Sequence, residues 1–165
     1  MHTPSTTFAQ FLSRFPVVEL PVILNEETHF TFSEKNEPLN SPMIQQFILP
    51  LETDEPDELT EYIACFKLPN TAEFHAIVFW KAALLNYTYT LATFSKKGVY
   101  IDHRTIAGTY VDQQKITISV ATINEEHEIY IASGQSGTND EGYDAHSSST
   151  YELELLPDGQ IVNNY

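Results

Sequence analysis

The sequence predicts a mainly β fold: about eight antiparallel strands in a meander, shaped as a partly closed barrel or a sandwich, with a short amphipathic helix near the N-terminus. Three observations carry that expectation. From residue 62 onward, segments dominated by β-branched and aromatic residues recur at 62–68, 74–81, 87–95, 99–107, 115–123, 127–133 and 150–156, with a last one near 160–164. Turn residues fill the gaps between them. No long helical period separates successive strands, so the crossover connections that a parallel sheet requires are missing.

The N-terminal helix is read from Thr7 and Gln10 at capping-box spacing, and from Phe8, Phe11, Leu12 and Phe15 at i, i+3, i+4 and i+7. Pro16 stops it. So short a helix needs its aromatic stripe packed on something, and a sheet face is the expected support. Residues 17–24 and 30–32 read as extended. Ser41-Pro42 offers an N-cap and first-turn pair for a second short helix reaching about Phe47. Residues 52–61 hold six acids and no base, which predicts a solvated loop or helical turn.

Turn chemistry sets the expected strand registers. A three-residue loop Lys96-Lys97-Gly98 opposes Ser95 to Val99, placing Tyr89 and Leu91 on one face with Ile101 and His103. A loop over residues 124–127 opposes Ile123 to Glu128, so that Ile116, Ile118 and Val120 share a face with Ile129 and Ile131. The loop Pro157-Asp158-Gly159 puts Leu153 and Leu155 beside Ile161. In strand 74–81, Phe74, Ala76, Val78 and Trp80 alternate with His75, Ile77 and Phe79. Both sets are apolar or aromatic, which predicts a central strand covered on both sides.

At 165 residues the chain fits a single β-rich domain over 1–165, long enough to bury a core without a disulfide or metal staple. Its one cysteine, Cys65, cannot form an internal disulfide, and no basic, apolar leader opens the chain, so a cytoplasmic location is expected. The longest strictly apolar run, 76–80, is far below the ~20 residues of a membrane span. The sequon Asn86-Tyr87-Thr88 lies in strand-like sequence and reads as coincidental.

Charge is the strongest compositional feature. With 23 acids against 8 bases, the formal charge is −15, which disfavours nucleic acid and anionic lipid and favours a basic protein partner. Glu52, Asp54, Glu55, Asp57, Glu58 and Glu61 are the candidate partner-binding residues. A non-enzymatic soluble binding protein is the function this composition favours.

Two alternatives stand beside it. A curved meander rich in Tyr and Phe can enclose an apolar cavity, making a small-ligand carrier with His103, Leu91, Tyr89 and His75 as candidate lining residues. An enzyme using a buried histidine is the other. Asp102-His103-Arg104 does not form an acid–base pair within one strand, because neighbours point to opposite faces. Asp102 and Arg104 are expected to make a weak surface pair. The histidines lack metal-ligand spacing and the cysteine lacks a partner, so no metal, cofactor or catalytic residue is expected. Cys65 has apolar neighbours and reads as a small core residue. Residues 133–149 read as a long acidic loop, with Asn139, Asp140, Glu141 and Asp144 in an order unlike that of a calcium loop. Gly134 and Gly137 do not lead a strand into a helix, which argues against a phosphate cradle.

Overall fold

One antiparallel sheet arises from these alternating segments in a computed structural model, which describes residues 5–137 and 144–164. Among the described residues the strands are β1 (Val22–Leu24), β2 (Glu61–Lys67), β3 (Phe74–Ala83), β4 (Asn86–Ser95), β5 (Tyr100–Asp112), β6 (Lys115–Ile123), β7 (Glu128–Gly137), β8 (Asp144–Leu155) and β9 (Ile161–Asn163). From β2 to β9 they lie side by side in chain order, and β1 pairs with β6. The meander is as expected, with one strand more. The sheet does not close, because β2 and β9 end the order without pairing. Among the described residues the helices are short: α1 (Phe8–Leu12), α2 (Thr28–Lys35) and α3 (Ser41–Met43), the last running on into a π-helical turn, Ile44–Ile48, and a 3-10 turn, Leu49–Leu51. Among the described residues no helix is long and apolar enough to cross a membrane.

β3 is covered on both faces, as its sequence implies. Ala76, Val78 and Trp80 pack in one core with Phe66, Tyr89 and Leu91, and with Ile123, Ile129, Ile131, Leu153 and Leu155 from the other half of the sheet. The sheet therefore bends over its own interior. Ile77 and Phe79 enter a second core with Phe11, Phe15, Met43, Phe47 and Phe94. The capping box forms as read: Gln10 N–H donates to Thr7 Oγ1 at 3.1 Å, and Thr7 N–H to Gln10 Oε1 at 2.9 Å. The regular helix ends at Leu12, but the following turns carry Phe15 onto the same core.

The bend has a local cause. β5 pairs with β4 along most of its length but meets β6 only through 108–112. The rest of β6 takes β1 as its partner, so β1 fills the gap left by the diverging strands.

Three turns share one design. Gly98 and Gly159 close three-residue loops with φ of +88° and +92°, and the expected pairing of Leu155 with Ile161 is found. The third is His127, at φ +62°, closing a loop over 125–127 in which Asn124 N–H donates to Glu128 O at 3.0 Å. A histidine in this left-handed position hides the turn signal that glycine displays. The expected 124–127 loop is thus one residue out of place, and Ile123 opposes Ile129 rather than Glu128. Ala121 and Ile123 join Ile129 and Ile131 in the core, whereas Ile116, Ile118 and Val120 lie half-buried on the other face.

Three further expectations are corrected. Residues 30–32 are helical, because Asn25 Oδ1 accepts the N–H groups of Glu27 and Thr28 and starts α2. The N-cap of the next helix is Asn40, whose side chain accepts from Met43 N–H; Ser41 is already inside. Much of 133–149 is strand, belonging to β7 and β8, while Asn139, Asp140 and Glu141 lie outside the described residues.

Candidate functional site

Trp80 and Tyr89 face each other across the β3–β4 ladder, with Tyr87 next along β4. Tyr89 is buried, and its hydroxyl ties two elements together. It accepts the backbone N–H of His29 at 2.7 Å and donates to Asn25 O at 2.9 Å. The first turn of α2 is thereby fixed against the sheet. The result is a run of rings. His29 stacks on Trp80 with centroids 3.9 Å apart and planes 3° from parallel, Phe30 adjoins His29, and Tyr87 lies on Trp80 at 6.0 Å and 17°.

These rings wall a cleft of about 330 Å³, whose other contributors are Asn25, Glu26, Gly108, Thr109 and Ser119. Its sides differ in exposure. Trp80 and His29 are each only 9% exposed, whereas Phe30 is 58% and Tyr87 45% exposed, so two rings present open surface at the mouth. Among the described residues, Glu26 is the one acidic residue lining it. Aromatic planes with a carboxylate nearby form an environment for organic cations or planar apolar groups.

The His29 imidazole is held below its ordinary range by burial, which the backbone of Glu26 opposes only in part. Among the described residues Nδ1 has no hydrogen-bond partner. Neutral His29 therefore belongs to the folded state, and below the unfolded value of about 6.5 the unfolded chain takes up a proton that the folded chain does not. Stability is lost as pH falls through that value. His29→Gln removes this contribution. Relative to wild type, the variant should gain melting temperature as pH drops below about 6.5. A gap independent of pH would contradict a buried, neutral His29.

The candidates read from sequence do not converge. Tyr89 lines the cleft, and Leu91 is buried in the core behind it. His103 is elsewhere. The Ser95–Val99 closure and the Phe94–Tyr100 pair follow the expected register, but Ile101 is bulged, so His103 opposes Ala92 instead of Leu91. It is half-buried, its Nδ1 2.7 Å from Tyr100 Oη, beside a small polar groove with Thr88, Thr90 and Thr105. His75 opposes Phe94, its ring 5.8 Å from that of Phe8. Asp102 and Arg104 do not pair. Asp102 accepts the N–H of Ile161 and of His103, each at 2.9 Å, and Arg104 reaches Asn163.

Among the described residues, no three metal-ligating side chains come together. Cys65 is fully buried and burial pushes its thiol upward, away from the thiolate a nucleophile needs. Within 52–61, Glu52 is paired with Lys81 and half-buried, and Asp57 accepts the N–H of Leu59 and the hydroxyl of Thr60. Asp54, Glu55, Asp57, Glu58 and Glu61 are exposed.

His29 and Phe30 are hidden from sequence reading because the aromatic and β-branched residues of 28–32 carry no helical signal of their own. The available signal was Asn25 and Thr28, whose side chains each bond the other's backbone N–H across one turn. No protein family, curated protein or solved structure matches the chain.

Proposed function

We propose that this chain is a non-enzymatic binding protein whose acidic surface engages a basic protein partner. The observation that carries the proposal is an uncompensated charge: 23 acids face 8 bases, and among the described residues the ion pairs are Arg14–Glu37 and Lys81–Glu52. Such a field accelerates encounter with cations and repels anions. The proposal sets the protein in a reducing cytoplasm, where a lone buried thiol such as Cys65 stays reduced. A second reading, a small apolar-ligand carrier, is favoured by the aromatic cleft and predicts binding that salt leaves unchanged.

The test uses a fluorophore-labelled peptide of alternating arginine and glycine. Replacing Asp54→Asn, Glu55→Gln, Glu58→Gln and Glu61→Gln together should slow its association about tenfold at low salt and alter dissociation little. An unchanged association rate would reduce this loop to solubilising surface.

A further inference from the structure

We infer that the cleft between α2 and β4 is the anchor point for the basic partner, and that it takes an arginine side chain. This rests on the proposed engagement of a basic protein and names the place where one of its residues enters. The cleft presents aromatic faces from two elements, Phe30 on α2 and Tyr87 on β4, both open at the mouth, over a floor formed by the Trp80–His29 stack. Among the described residues no lysine or arginine lines it, and the one acidic residue that does is the exposed Glu26. An anion would meet that carboxylate and the −15 field of the chain. A neutral aromatic group would be tolerated by the rings but would leave the carboxylate unused.

A guanidinium satisfies both. It is planar, stacks on aromatic faces, is more weakly hydrated than an ammonium, and offers paired donors to a carboxylate. Lysine shares the charge without the plane, so arginine is preferred. The buried Tyr89 hydroxyl holds both walls in position before the ligand arrives, which limits the ordering cost of binding.

Trp80 is the chain's one tryptophan, so its emission reports on this cleft alone. The experiment titrates the intact protein with the arginine–glycine peptide, the same peptide with lysine, and the same peptide with citrulline, a neutral isostere of arginine. A fluorescent label on each peptide reports total binding independently of Trp80. The expected result is a saturable change in Trp80 emission with the arginine peptide, with roughly tenfold weaker binding of the lysine form and none measurable for citrulline. Tyr87→Ala, Phe30→Ala and Glu26→Gln should each weaken the arginine peptide about five- to tenfold. Because these three side chains are exposed, their loss should leave the melting temperature near that of wild type.

Salt-sensitive binding with unmoved Trp80 emission and unaffected cleft variants would overturn the cleft inference and leave the acidic-surface reading standing. Equal binding of the citrulline peptide would also overturn it, by showing a site for neutral planar groups. Absence of any binding to the cationic peptides would overturn the acidic-surface reading itself.

Discussion

Replacing Phe11 with alanine is expected to cost about 3–5 kcal/mol of unfolding free energy, the range for a large aromatic removed from a closed core. Phe11 is fully buried, stacked on Phe47 at 4.7 Å and edge-on to Phe15 at 5.0 Å, with Phe94 of β4 beyond. A helix as short as α1 has little stability of its own, so this ring cluster is what holds it on the sheet. The side chains around it come from separate segments and cannot all collapse into the space vacated. The loss is a large share of the ~5–15 kcal/mol available to a domain. Urea denaturation followed by far-UV circular dichroism measures it. A cost below ~1 kcal/mol would mean that α1 does not cover the outer face of β3 and β4.

Gly108→Ala is the second large effect, with an expected loss of about 3 kcal/mol. A Cβ at this position would stand 2.3 Å from Tyr87 O and 2.9 Å from Thr88 Cα. Both are backbone atoms of β4, so no side chain can swing aside. Relief requires β4 and β5 to separate at the point where β5 also begins to pair with β6. Gly108 and Tyr87 border the cleft, so the variant should alter Trp80 emission as well as stability. Thermal melting read by Trp80 fluorescence tests both consequences. A variant with wild-type stability and emission would contradict the close strand approach at Gly108.

The local features marked by a glycine turn or by the Thr7–Gln10 pair were legible in the sequence; the turn closed by a left-handed His127, the Asn25–Thr28 start of α2 and features set at long range were not. The Thr7–Gln10 box and the loops ending in Gly98 and Gly159 involve residues a few positions apart, so their chemistry is visible in the chain itself. The two-sided apolar pattern of β3 likewise announced a strand with cores on both faces. The bulge at Ile101 is different. It lies beside Asp102, which accepts the Ile161 N–H from a hairpin far along the chain, and nothing near residue 101 signals that contact. One bulged residue moved His103 to the opposite face. Cys65 makes a similar bulge in β2, where Asn36 Nδ2 donates to both the Ala64 and Cys65 carbonyls. Of the site, Tyr89 was legible as an inward residue. Its role in fixing α2 was not, because that role depends on a helix whose aromatic and β-branched residues argue for a strand.

The most direct measurement is the association rate of the arginine–glycine peptide as a function of ionic strength, taken from about 20 to 300 mM by stopped flow. If the acidic surface is the binding surface, the rate falls at least tenfold over that range while dissociation changes much less. A rate that does not depend on salt would contradict the account.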